Sequence, residues 1–236
     1  VTLIVQSPRL RRLHGYLERI IGWTDARRAD VDRALAAIRD ASLRGAALVL
    51  CGPGELSSVA RQLHALALGE ERPFVVADEA ALPQLASLGG GTLCVVADRI
   101  PRDVAAVSAV IRTATDPVRV TICAATRDAA TDAAVLLGRT VIIELPALTA
   151  RHEEHDRLIL AYAADAVVSL GAPGNGFREH ELEWLRRAPL ESLAELEELG
   201  RRIVAVRNWG VSGGAQRLDI SHVALSRWLH RRKIPT

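Results

Sequence analysis

Methionine is absent from the 236 residues, lysine occurs once, at Lys233, and aromatic residues make up only 3%. A chain without methionine leaves open a start upstream of Val1. The single lysine, near the far end, excludes lysine chemistry everywhere else. No stretch approaches the roughly 18 uninterrupted apolar residues that a membrane span needs. The opening VTLIVQSPRLRR also lacks the long apolar core and small-residue cleavage site of a signal peptide. We therefore expect a cytoplasmic protein with no membrane partner. Cysteine is scarce too. Cys51, Cys94 and Cys123 sit in or at the ends of apolar runs, 43 and 29 residues apart, which matches no zinc spacing and suits buried thiols in a reducing compartment. His152 and His155 stand at i and i+3 rather than the i and i+4 of a zinc protease helix, so we expect no metal.

What is present is ordinary for a globular chain: 49% hydrophobic and 25% charged residues, enough to bury a core. Charge is distributed unevenly. Residues 201 to 236 carry eight cations against one acid, Asp219, a net of +7 that leaves −5 for the rest of a chain totalling +2. A basic segment on an acidic body is the electrostatic mark of a polyanion partner. Ala215, Leu218, Ile220, Leu225 and Leu229 recur at intervals that suit packed short helices rather than a solvated tail.

Residues 8–22 and 30–44 carry apolar residues at helical spacing, with Asp30 placed to cap the second helix. Short apolar runs then alternate with helical stretches: AALVLC (46–51), PFVVAD (73–78), GTLCVVAD (91–98), VRVTICAAT (118–126) and TVIIEL (140–145). That alternation predicts an α/β fold with a mainly parallel sheet covered by helices. After Pro146 only helices are expected, near 150–165, 177–187, 190–207, 211–218 and 221–232, with 171–176 as a turn-rich linker.

The strand AALVLC, then Gly52-Pro53-Gly54, then a helix is where a phosphate-binding loop would sit. No lysine can serve it, and Pro53 removes one backbone donor. Ser57 and Ser58 read as the opening of the helix.

In order, the segments GPGELSSVARQLH, RPFVVADEAALP, GGGTLCVVADRIPRDV, VRVTICAATRDA and IIELPALTARHEEHDRLI resemble the AAA+ domain of NtrC-type, sigma-54-dependent activators of bacterial transcription, in degenerate form. They are followed by a segment similar to a Fis-type helix-turn-helix. The resemblance runs from about residue 46 to 236. It implies an N-terminal helical segment (1–45), an AAA+-like α/β core (46–148), a small all-α lid (149–200) and a DNA-binding segment (201–236). Where the family carries its loop lysine this chain has Leu56 or Ser57, and where it carries the Asp-Glu pair this chain has Val96 and Ala97, with Asp98 one residue on. The loop that contacts the sigma factor is missing. Only Arg139 stands near the arginine fingers, and the sensor arginine of the lid falls on Ala194. Because phosphoryl transfer depends on those groups, we expect a catalytically inactive scaffold, not an enzyme, with no cofactor.

In the helix-turn-helix, Ser212 is placed to cap the first helix and Ser221 the second, and Gly213, Gly214 and Ala215 allow a close crossing. The resemblance points to Ser221, His222, Ala224, Ser226 and Arg227 at base edges or phosphates. Gln216, Arg217, His230, Arg231, Arg232 and Lys233 fall on the DNA backbone, and Ser212 counts among the DNA-binding residues as well. Trp228 is expected in the core. The expected function is a transcriptional regulator that binds double-stranded DNA as a homodimer, its AAA+-like domain serving self-association or a protein partner. The alternatives are a protein-interaction module that does not bind DNA, and a nucleotide-binding NTPase.

Overall fold

The computed structural model describes residues 7–44, 46–77, 79–85, 88–113, 118–137, 139–174 and 176–232. They form two compact units, Val1–Pro146 and Ala147–Thr236.

The first unit opens with helix α1 (Pro8–Ile21). The Ser7 hydroxyl accepts from the Leu10 amide at 3.3 Å and Pro8 stands at the first helical position, so the entry is fixed by a cap and a pre-set φ. Leu13, Leu17, Ile20 and Ile21 are buried along one face. Helix α2 (Asp25–Arg44) begins five residues before the expected Asp30. Asp30 does not cap it; it lies inside the first turns, paired with Arg27 at 3.3 Å and with Arg33. A carboxylate flanked by arginines at i−3 and i+3 is held on the helix face instead.

Five strands follow, β1 (Ala47–Cys51), β2 (Phe74–Val76), β3 (Thr92–Val96), β4 (Arg119–Ala124) and β5 (Thr140–Glu144), separated by α3 (Ser57–Leu68), α4 (Leu82–Leu85), α5 (Val104–Thr113) and α6 (Arg127–Leu137). Each strand falls within an expected apolar run. All pairings are parallel, in the order β2-β3-β4-β1-β5. The strand β1 has β4 and β5 as neighbours, and its nearly continuous burial reflects cover on both faces. On one face Ala47, Val49 and Ile122 pack with Val107, Ala130 and Ala133 of α5 and α6. The α1–α2 pair and α3 cover the other, α2 lying against β1 and β5.

All three thiols are buried. Cys94 and Cys123, on neighbouring strands, have sulfurs 3.6 Å apart; their mutual hydrogen bond, then burial, push the Cys123 thiol far above its ordinary pKa.

The second unit is all helix: two short 3₁₀ turns, then α7 (His155–Leu170), α8 (Glu179–Arg187), α9 (Leu193–Arg217) and α10 (His222–Arg232). Leu158, Ile159, Tyr162 and Ala166 of α7 meet the buried face of α9. A buried ion pair ties α8 to α9: Arg207 donates to Glu181 at 2.9 Å and to the Gly176 carbonyl at 2.6 Å, while Glu181 also accepts from the Arg178 amide at 2.6 Å. With both charges bonded this way, the pair meets the condition under which a buried ion pair is tolerated. The segment 171–176 joins α7 to α8 inside this unit. Among the described residues no helix is long and apolar enough to cross a membrane.

Candidate nucleic-acid interface and the loop after the first strand

The C-terminal helix pair is made by one break and one turn. At Gly210 the backbone of α9 leaves helical geometry (φ 65°, ψ −177°), a conformation open to glycine and strained for other residues. Residues 211–217 fold back, so that Gly214 lies against the Ala205 carbonyl, where an added Cβ would be 3.1–3.2 Å from backbone atoms. The expected close crossing of small residues is present, but the first helix starts from the Gly210 break, and Ser212 stands exposed within it rather than as its cap. The signal that locates this break is the lone glycine between Trp209 and Val211.

The turn is closed by Leu218 N–H to Gly214 O at 3.0 Å and Ile220 N–H to Ala215 O at 3.0 Å. Asp219 takes the left-handed conformation (φ 54°), which aspartate tolerates better than most side chains. Ser221 then caps α10, its hydroxyl accepting from the Ala224 amide at 3.1 Å.

Leu225 and Trp228 are the buried side of α10. Trp228 lies under the Arg202 guanidinium, 4.6 Å from the ring centroid, and Arg202 also pairs with Glu198. Burial lowers the pKa of Arg202; Glu198 opposes the shift, and Arg232 and Arg231 add to it, so several positive charges converge here. The opposite side of α10 exposes His222, Ala224, Ser226, Arg227, His230 and Arg231, with Arg232 half-buried at its end. Lys233 lies outside the described residues. Val223, 54% exposed on this helix, is an exposed apolar side chain that sequence reasoning did not single out.

Ser212, Gln216, Arg217 and Ser221 stand on the first helix and turn, Gln216 and Ser221 exposed and Arg217 exposed along part of its length. Arg217 donates to the Leu170 carbonyl at 2.9 Å and stacks over Trp209 at 4.2 Å. It thus anchors the first helix to the C-terminal end of α7. Leu218 and Trp209 pack against Ala166, Leu170, Val204 and Ala205, so the helix pair shares its core with the rest of the unit.

In the first unit, β1 runs into Gly52, whose amide donates to the Ala124 carbonyl at 3.0 Å and whose missing Cβ would sit 2.7 Å from the Leu145 carbonyl oxygen. Gly54 is left-handed (φ 83°), and α3 starts at Ser57 as expected. The Glu55 carboxylate accepts from the Ser57 amide at 2.9 Å and faces Arg99 at 3.9 Å. The Ser57 hydrogen bonds, more than Arg99, hold its pKa below the usual value. The Ser58 hydroxyl is buried without a hydrogen-bond partner among the described residues. Asp98 lies past the end of β3, exposed in the turn and 3.8 Å from Arg99. Arg139 is exposed before β5, and Ala194 lies in the first turn of α9. Among the described residues, no group of three or more histidine, cysteine or acidic side chains could hold a metal.

No family model matches the sequence, and no curated protein matches it either. Solved structures are similar in fold. NtrX from Brucella abortus superposes with a TM-score of 0.51 at 17% identity, over 96% of this chain and 72% of that one; the same protein in complex with ADP gives 0.49, again at 17% identity and over 96% and 72%. A single-residue variant of RuvB from Thermotoga maritima gives 0.50 at 13% identity, over 91% and 70%. The fold is AAA+-like. These neighbours correct the expectation that the chain is not an enzyme. The AAA+-like fold shared with NtrX and RuvB removes the ground for excluding an enzyme. The physical reason is that the expectation rested on missing site residues, and a fold is set by its apolar strands and helices rather than by those residues.

Proposed function

We propose that this chain is a DNA-binding transcriptional regulator in which α10 enters the major groove and the AAA+-like unit mediates self-association or meets a protein partner. One observation carries this reading: α10 is capped, buried on one side by Leu225 and Trp228, and on the other presents His222, Ser226, Arg227, His230 and Arg231 without a single acid. A helix so oriented places its N-terminal side chains at base edges and its C-terminal cations at phosphates.

In this reading Arg227 and His222 contact bases, Ala224 and Val223 meet thymine methyls, and Ser221 and Ser226 hydrogen-bond at the groove. His230, Arg231 and Arg232 at the far end of the helix neutralise phosphates, as does Lys233. Ser212, Gln216 and Arg217 face the backbone from the first helix, with Arg217 fixing that helix through the Leu170 carbonyl. A dimer reads two half-sites, as helix-turn-helix proteins do.

The test is fluorescence anisotropy of the full chain with a mixed-sequence duplex over a salt series. Affinity should fall linearly with log salt at about −0.9 per phosphate contacted, and Arg231→Ala should make the slope shallower. Absence of binding at low salt would leave the protein-interaction reading in its place. Removing residues 201–236 is the poorer test, because it takes away part of the core of the second unit.

A second reading concerns the loop after β1. The likeness in fold to NtrX, a protein also found with ADP, together with the unpartnered Ser58 hydroxyl at the start of α3, supports a nucleotide there. Phosphate release by the purified chain tests it.

A further inference from the structure

The α1–α2 pair does more than cover the sheet. Helix α2, with α3 and the first residues of β1, β3 and β4, walls a cleft of about 40 Å³, open on one side. The cleft lies at the N-terminal ends of the parallel strands, whereas the Gly52–Gly54 turn follows the C-terminal end of β1. Its lining is chiefly Ile38, Ala41, Leu48, Leu63, Ala67 and Leu68. Two polar groups on the wall are already occupied: His64 donates from Nε2 to the Arg72 carbonyl and accepts at Nδ1 from the Thr92 hydroxyl, both at 2.8 Å. The neutral ring satisfies both bonds only in this tautomer, because a carbonyl cannot donate.

Arg119 is different. It opens β4, lines the cleft and is half-buried, yet no carboxylate among the described residues pairs with it. The charge acting on it is another cation, Arg9, whose Nε donates to the Leu66 carbonyl at 2.8 Å. Burial, and then repulsion from Arg9, push the Arg119 pKa down. A guanidinium beside apolar side chains and a second guanidinium is relieved by one incoming negative charge.

We infer that this cleft binds a small organic carboxylate, with its alkyl end against Ile38, Ala41, Leu48 and Leu68 and its carboxylate on the Arg119 fork. A carboxylate suits the site for two reasons. It matches the planar guanidinium in a bidentate pair. It also carries a single charge, whereas a phosphate dianion would have to shed more hydration than one half-buried guanidinium and an apolar wall return. The small volume selects a tail of a few carbons.

Calorimetric titration of the full chain with hexanoate, and with hexanol as the uncharged control, tests the assignment. Hexanoate should bind, and hexanol should bind at least about tenfold more weakly, since the charge-assisted hydrogen bond is lost. Arg119→Gln should weaken hexanoate by about tenfold or more and leave hexanol unchanged. Ala41→Leu, which fills the cleft without touching the charge, should weaken both. Three results would overturn the inference: no hexanoate binding at about 10 mM, equal affinity for hexanol, or unchanged hexanoate affinity in a folded Arg119→Gln protein. If Arg119→Gln fails to fold, the hexanol comparison and Ala41→Leu still decide.

Discussion

Two helix starts in this molecule, α3 after β1 and α10 after the turn at Asp219, use the same backbone device in opposite electrostatic settings. At α3 the Ser57 amide already donates to a carboxylate, Glu55. At α10 the cap is a neutral hydroxyl, Ser221, followed by a helix with no acid. The free amides and dipole of a helix start attract any anion. What an incoming phosphate finds there depends on whether the chain has placed its own carboxylate first. At α10 the start carries no acid of its own; at α3 an arriving anion would compete with Glu55.

The scaffold under α10 gives the largest expected effect. Trp228→Ala should cost about 3–5 kcal/mol in a denaturant melt, as removal of a buried aromatic does, and should abolish DNA binding with it. Loss of binding with full stability would mean that Trp228 contacts DNA directly. Arg227→Ala should leave the melt unchanged and weaken specific DNA binding by about 1–3 kcal/mol, as loss of a base contact does; unchanged affinity would remove Arg227 from the reading face. Ser221→Ala, which deletes the neutral cap, should lower stability by about 1 kcal/mol.

Glu55→Gln sharpens the other side. It keeps an acceptor for the Ser57 amide but removes the charge, so affinity for ATP or inorganic phosphate at this loop should rise by up to about 1 kcal/mol in a titration. An unchanged affinity would show that Glu55 does not compete. The same carboxylate gives the smallest effect, in pH. Its folded pKa lies below the ordinary 4.5, so its contribution is fully present above about 4.5 and is lost as pH falls through the lower, folded value. Melts of the native protein should show this acid slope, and melts of Glu55→Gln should show less of it.

Much of the fold was legible because its determinants are local. The five strands are apolar runs bounded by turns, and period 3–4 marks α1 and α2. The start of α2 was not, since Asp30 has the chemistry of a cap and only its flanking arginines show that it lies within the helix. In the candidate interface, Ser221 and Trp228 could be placed from residue type and spacing, whereas nothing in the sequence shows that Arg217 donates to the Leu170 carbonyl. The expectation of no enzyme arose from matching the site residue by residue, which bears on the site and leaves the AAA+-like fold unaddressed.

The sequence by itself determined the parallel α/β layout, the buried thiols and the basic C-terminal helix pair, because apolar periodicity and charge are properties of neighbours along the chain. Only the tertiary structure decided that residues 8–44 belong to the first unit, that the helix pair shares a core with α7 and α9, and that Arg119 lines an apolar cleft near Arg9. Each of these depends on residues distant in sequence meeting across a packed interface, and burial, hydrogen bonding and charge balance are settled there.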